Sequence, residues 1–159
     1  MPDSWQLRHA LGKFATGVAV VTTIDDAGAP IGLTINSFSS VSLDPPLVLW
    51  SLTRRSPNLA HFSTAEKFAI NILNRDQSDI SRRFSMPVSD RFCDVSWQPG
   101  INGMPLLCGS VATFECQTER LTDGGDHVVF FGKVLDHRQE DREPLLFFAG
   151  RYGTANLAV

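Results

Sequence analysis

Several features that would mark a specialised class of protein are missing from this sequence. The net charge is only −3, so no excess of positive charge favours a nucleic-acid or membrane surface. The longest apolar run, from Leu145 to Ala149, is far too short to span a bilayer. The N-terminal segment lacks the apolar core of a signal peptide. We therefore expect a cytoplasmic protein that acts on neither nucleic acid nor membrane.

Cysteine is also scarce, with three residues and no C-x-x-C pair. An odd number of cysteines without a secretion signal predicts free thiols. Cys108 and Cys116 lie in strand-like segments, and we expect both to be small core residues. The four histidines show none of the spacings that are typical of metal sites, so we predict no metal.

The common nucleotide-binding and hydrolase motifs are missing as well. No G-x-G-x-x-G follows a predicted strand, and the sequence contains neither a Walker lysine nor a G-x-S-x-G elbow. Most carboxylates lie in turns or in the polar segment from Glu140 to Glu143. This placement favours turn formation and solvated charge over an acid/base pair.

What the sequence does contain is a series of β-rich segments separated by turn residues. Apolar and β-branched patterns predict strands at residues 18–24, 31–36, 47–52, 68–73, 109–120, 127–137 and 144–149. Capping signals predict short helices at residues 4–15, 56–65 and from 74 to about 84. Strands and helices do not alternate regularly. We therefore predict one mainly β (α+β) domain over residues 1–159, a closed or partly closed barrel with small peripheral helices.

A block of small polar side chains lies between two of the predicted strands. The segment from Gly32 to Ser51 contains TINSFSS, which combines hydroxyls and one amide without local positive charge. Such a set suits a planar, phosphate-bearing ligand that is held by neutral hydrogen bonds. The alternative is a serine-rich loop whose side chains satisfy its own backbone.

Four segments, taken in order, resemble one known family. They are FATGVAVVTT (14–23), GLTINSFSSVSLDPPLVLWSL (32–52), FAINIL (68–73) and GDHVVFFGKV (125–134). Together they are similar to the short-chain flavin reductases, the small components of two-component flavin-dependent monooxygenases. The resemblance covers nearly the whole chain.

The resemblance implies a split β-barrel with Greek-key-like antiparallel strands, which forms a homodimer and binds flavin beside the subunit interface. It also implies transfer of hydride from NADH or NADPH to FMN or FAD, followed by release of reduced flavin to a separate oxygenase. The sequence leaves both the flavin and the nicotinamide open. Two other functions remain: a non-enzymatic flavin-binding module, and an enzyme that reduces a corrin cobalt or a ferric chelate through its flavin.

The same resemblance implies a flavin site and a nicotinamide site. The flavin-binding residues are Thr34, Asn36, Ser37, Phe38, Ser39, Ser40, Ser51, Leu52, Thr53, Ser56, Arg83 and Phe84. The nicotinamide side is formed by His127, Arg151 and Tyr152, and His127 is the catalytic residue, with the role of positioning the nicotinamide.

One feature of the residues and one difference from the family bear on the phosphate end of this site. A helix starting at Ser56 would direct free N–H groups at a phosphate. Many relatives carry a lysine directly before this serine, where the present sequence has Arg55. We expect Arg55 to replace that charge.

Overall fold

β-Strands dominate the computed structural model, which describes residues 3–156. The three helices in this range are α1 (Ser4–Leu11), α2 (Leu59–Thr64) and α3 (Ser78–Ser85). The strands are β1 (Thr16–Gly17), β2 (Ala19–Ile24), β3 (Pro30–Ile35), β4 (Ser39–Leu43), β5 (Pro46–Thr53), β6 (Lys67–Ile72), β7 (Trp97–Pro99), β8 (Pro105–Leu107), β9 (Ala112–Gly124), β10 (His127–Gln139), β11 (Leu145–Phe148) and β12 (Arg151–Thr154). The predicted mainly β architecture with short helices is confirmed. The predicted domain, 1–159, extends past the described residues at both ends.

Seven of these strands form one antiparallel sheet, in the order β3-β2-β6-β9-β10-β5-β4. Two smaller antiparallel sheets, β1-β11-β12 and β7-β8, complete the fold. This strand order is compatible with the split barrel that the resemblance implies. None of the helices within residues 3–156 has the length and apolar character needed to cross a bilayer.

The core beneath the large sheet is built around aromatic side chains from different strands. The Trp50 ring on β5 stacks on the Phe130 ring on β10, with 4.3 Å between centroids. Phe62 of α2 and Phe68 of β6 meet the same indole edge-on, at 5.1 and 5.8 Å. All four side chains are almost completely buried. Burial of such rings contributes roughly 1.5–3 kcal/mol each, so this cluster fixes the strands that carry the site.

All three helices begin or end at residues other than those predicted. α3 begins at Ser78 instead of near Asn74, because residues 74–77 form a turn in which Gln77 Oε1 accepts from Asn74 N (2.9 Å). α1 ends at Leu11 instead of Ala15, because the chain beyond Gly12 continues in tight turns in which Lys13 N donates to Ala10 O. α2 begins at Leu59 instead of Ser56. The Ser56 hydroxyl accepts a hydrogen bond from Asn58 N (3.2 Å) and forms a turn before the helix. The expectation of a helix start at Ser56 is therefore wrong.

The strands also differ in places from the prediction. β9 continues to Gly124, four residues beyond the predicted end at Arg120. β1, β4, β7, β8 and β12 were not predicted, because they are short and the apolar alternation that marks longer strands is weak in them. The three thiols are free, as predicted. Cys116 is in the core, where burial raises its pKa to about 12, but Cys108 is exposed, which corrects its predicted core position.

The close packing at Gly132 gives a test of this core. A Cβ at Gly132 would lie 2.4 Å from the Phe68 ring and 2.9 Å from Cys116 Cβ. We expect Gly132→Ala to reduce the free energy of unfolding by about 1–3 kcal/mol because the ring must move. Urea denaturation measures this loss.

Gly153→Ala is the matched control, since a Cβ there meets no atom within 4 Å. It should change the free energy of unfolding by less than about 0.5 kcal/mol. Equal effects of the two substitutions would contradict the packing described at Gly132.

Candidate active site

An open cleft of about 1,060 Å³ lies where β3 and β5 end and β10 begins. A cavity of this size is large enough for a cofactor-sized ligand. Its walls carry hydroxyls, two amides and apolar side chains, and no Asp or Glu of residues 3–156 lines it. The side chains of Arg55 and Arg91 supply permanent positive charge.

The pairing of β5 with β10 places one wall of this cleft. His127 lies opposite Thr53, and Val129 lies opposite Ser51. Because side chains alternate along a strand, the intervening Leu52 is buried, and its partner Val128 belongs to the same core cluster. The alternation thus directs Ser51, Val129 and His127 to the cleft, while Leu52 and Val128 pack in the core cluster.

The Ser37 hydroxyl holds the opposite wall to β5. Its Oγ accepts from Ser51 N (2.9 Å) and donates to Ser51 O (3.1 Å). β4 pairs with β5 through Ser39 and Leu49, and continuing that register by two residues brings Ser37 opposite Ser51. The side chain therefore completes the ladder where the backbone of the neighbouring strand does not.

Thr34 also bonds to the backbone. Its hydroxyl donates to Ser81 O (2.7 Å), and the buried Ser81 hydroxyl lies 2.7 Å from the Tyr152 hydroxyl. Thr34, Asn36 and Tyr152 also line a smaller cavity of about 250 Å³ beside the cleft. The β11-β12 pair, which carries Tyr152, is thereby connected to the cleft wall through α3.

Two arginines hold the segment after α3 in place. Arg91 donates from Nη1 to Gly32 O (2.9 Å) and from Nε and Nη2 to Met86 O (3.0 and 2.9 Å). Burial lowers the pKa of the Arg91 guanidinium from its ordinary value. Arg83 donates from Nε to Arg91 O (2.9 Å) and does not line the cleft. Its side chain therefore supports the segment that carries Arg91.

The turn between β9 and β10 presents His127 to the cleft. Its Nδ1 lies 2.7 Å from Asp126 Oδ1. This hydrogen bond holds the pKa of Asp126 below its usual range. Arg54 donates from its backbone N to Asp126 O and from Nε to Gly125 O (2.9 Å each), and its guanidinium pairs with Asp123. Backbone and side-chain bonds thus fix the turn.

The cleft brings together nine of the residues that the resemblance implied: Thr34, Asn36, Ser37, Ser51, Leu52, Thr53, Ser56, Phe84 and His127. The other six lie elsewhere. Phe38 packs on Phe114 in the core, Ser39 and Ser40 are on the exposed strand β4, and Arg151 is exposed. Arg83 and Tyr152 lie behind the wall, in the contacts described above.

A family model described as "Flavin reductase like domain" matches residues 11–156. The chain belongs to this family. Within it, the chain is 46% identical over 156 residues to a probable flavin reductase of Rhizobium meliloti, covering 98% of the chain and 50% of that protein. It is 45% identical over 151 residues to the FMN reductase (NADH) SmoA of Agrobacterium fabrum, covering 95% of the chain and 86% of that protein.

Solved structures agree with this assignment to the flavin reductase-like domains. The NADH:FAD oxidoreductase SgcE6 of Streptomyces globisporus, in complex with NAD and FAD fragments, is 39% identical with a TM-score of 0.91. The match covers 98% of the chain and 93% of that structure. Other relatives are named as reductase components or subunits of flavin-dependent monooxygenases. Relatives differ in length, and the chain spans half of the Rhizobium meliloti protein.

Several cleft residues lie outside the set that the resemblance implied. Asn58, Ser85 and Arg91 line the cleft of this flavin reductase-like domain. Arg91 reaches it through a bond to Gly32, which is far away in sequence and gives no local pattern. Asn58 directly follows Ser56-Pro57, so its proximity to the predicted phosphate end was the one available signal.

Proposed function

We propose that this domain transfers hydride from NADH or NADPH to FMN or FAD, and that the reduced flavin passes to a separate flavin-dependent oxygenase. The cleft of about 1,060 Å³ with its neutral polar wall and His127 opposite Thr53 carries the proposal. The names of relatives with FMN reductase, NADH:FAD oxidoreductase and monooxygenase reductase activities support it.

The chemistry of the cleft walls fits a flavin. A flavin has a planar ring system with polar edges, a hydroxylated chain and a phosphate. Asn36 and Ser51 line the cleft, and their side-chain atoms have no hydrogen-bond partner among residues 3–156, so they are free to meet the polar edges. Val129 supplies apolar surface for the ring, and Arg55 supplies charge for a phosphate.

Bound flavin supplies the hydride acceptor and bound nicotinamide the donor, so the protein contributes no nucleophile. The residues of the cleft bind and orient. Ser37 and Thr34 keep the wall rigid through their backbone bonds, and His127, which lines the cleft, would position the nicotinamide. Preorganisation of this kind lowers the entropic cost of bringing two planar molecules together.

A homodimer is part of the same proposal. Trp5 is 70% exposed, Leu11 67% and Phe14 80%, and no residue of α1 within the described chain is buried. Leu11 also lines the cleft, so a second subunit that covers this apolar face would lie beside the site. The cytoplasmic location and the lack of nucleic-acid or membrane partners stay predictions.

The activity is tested by mixing the protein with each of the four pairs of flavin and nicotinamide. We expect at least one pair to show a loss of absorbance at the reduced-nicotinamide band that is proportional to protein concentration. Rates equal to the uncatalysed rate for all four pairs would refute the proposal. An increase in the rate of nicotinamide oxidation when a corrin or ferric chelate is added anaerobically would favour reduction of such an acceptor.

The charge of Arg55 gives a test of the phosphate end. We expect Arg55→Ala to raise the dissociation constant of FMN about tenfold, because a charge-assisted bond to the phosphate is lost. Riboflavin has no phosphate, so its dissociation constant should change less than about twofold. Quenching of flavin fluorescence measures both constants.

Arg142→Ala is the matched control, since Arg142 pairs with Glu140 on the surface and does not line the cleft. It should leave both dissociation constants unchanged. An equal loss of FMN and riboflavin affinity in Arg55→Ala would show that the arginine shapes the cleft without binding a phosphate.

A substitution of His127 distinguishes an enzyme from a non-enzymatic flavin-binding module. We expect His127→Ala to lower kcat/KM for the nicotinamide at least tenfold, because a positioning contact is lost, while flavin affinity stays within about twofold. Steady-state rates and flavin titration measure these effects. His137→Ala, on the same strand but outside the cleft, is the control. Unchanged reduction in His127→Ala would contradict its proposed role.

A further inference from the structure

The contact between Asp126 and His127 determines which nitrogen of the imidazole ring carries the hydrogen. Asp126 Oδ1 lies 2.7 Å from His127 Nδ1, and its carboxyl pKa is held below the usual range. An ionised carboxylate only accepts hydrogen bonds. Nδ1 therefore carries the hydrogen and donates it to Asp126.

The geometry leaves the second ring nitrogen for the cleft. His127 lines the cleft, Asp126 does not, and Nε2 has no hydrogen-bond partner among residues 3–156. In a neutral imidazole whose Nδ1 carries the hydrogen, Nε2 has a free lone pair. The ring thus offers an acceptor to any molecule bound beside it.

The surrounding turn keeps this arrangement rigid. Arg54 bonds to the main-chain oxygens of Gly125 and Asp126, and it pairs with the Asp123 side chain. His127 itself is paired with Thr53 on one side and with Gly124 on the other. The backbone is held on both sides of Asp126, so the carboxylate stays within reach of the ring.

We propose that Asp126 is a positioning residue that holds His127 in its Nδ1–H tautomer, so that Nε2 accepts a hydrogen bond from the carboxamide NH₂ of the nicotinamide. This inference rests on the proposed function, because it assumes a nicotinamide beside His127. A primary carboxamide has a donor end and an acceptor end. A site that offers an acceptor selects one orientation of the group, and with it one orientation of the ring.

The first test observes the tautomer without any substrate. In ¹⁵N-histidine-labelled protein at alkaline pH, we expect Nδ1 of His127 to show the shift of a protonated nitrogen and Nε2 that of an unprotonated one. His127→Ala assigns the signals. Asp126→Asn should convert this pattern into the opposite tautomer or a mixture, since an amide can also donate. A hydrogen on Nε2 in the unaltered protein would overturn the proposal.

The second test compares NADH with its reduced 3-acetylpyridine analogue, in which a methyl group replaces the NH₂. Loss of one hydrogen bond should raise KM for the analogue about 3- to 10-fold relative to NADH in the unaltered protein. In Asp126→Asn that ratio should fall to within about twofold of one. The intrinsic reactivity of the analogue affects kcat equally in both proteins, so the comparison of KM ratios isolates the contact.

Two further variants do not alter Asp126 and so remain informative if Asp126→Asn fails to fold. Gln can place an acceptor near the position of Nε2, whereas Asn reaches only the position of Nδ1. We expect His127→Gln to retain part of the preference for NADH and His127→Asn to lose it. Asp26→Asn, which removes one exposed charge from the β2–β3 turn, is the control and should keep the full preference.

The outcomes separate this inference from the proposed function. If no flavin is reduced with NADH, the proposed function fails, while the tautomer measurement still decides the role of Asp126. If flavin is reduced but the KM ratio is the same in the unaltered protein and in Asp126→Asn, the function stands and the inference is wrong.

Discussion

The pairing of β5 with β10 is the contact on which the rest of the site depends. It joins segments more than seventy residues apart and places Thr53 opposite His127. A shift of one residue would turn these side chains into the core and the core aromatics into the cleft. The stack of Trp50 on Phe130 opposes such a shift, because neither ring could be exposed without losing its buried surface. The register of β5 with β10 therefore determines both the packing of the core and the side chains that line the cleft.

The hydroxyl-rich segment combines the two interpretations that its composition allowed. Ser37 and Thr34 bond to backbone atoms, as expected of a loop that satisfies itself. Asn36 and Ser51 face the same cleft with side chains that have no partner within residues 3–156. The same wall therefore contains hydroxyls that hold it in place, on Thr34 and Ser37, and side chains that are free to bind, on Asn36 and Ser51. Such a wall is rigid and carries little charge, which suits a ligand that must also leave.

Much of this arrangement was predictable from the sequence. The long strands followed from apolar alternation, whereas the family and the nine cleft residues followed from the resemblance that motifs such as TINSFSS and GDH carry. The start of α2 was missed because Ser56-Pro57 has the composition of a helix start, whereas its hydroxyl caps a turn. Arg83 was placed in the flavin-binding set by the family resemblance, but its side chain does not line the cleft. Its bond to Arg91 O depends on the path of an irregular segment that no periodic pattern describes.

The two adjacent arginines after β5 have different roles, which the strand pairing distinguishes and the sequence alone does not. Arg54 and Arg55 have the same side chain and neighbouring positions, yet only Arg55 lines the cleft. Arg54 bonds to the turn at residues 123–126, which lies next to it only because β10 pairs with β5. A single lysine before Ser56 could not both hold that turn and face the cleft. The second arginine lets this chain fix the turn that carries His127 and still keep a positive charge in the cleft.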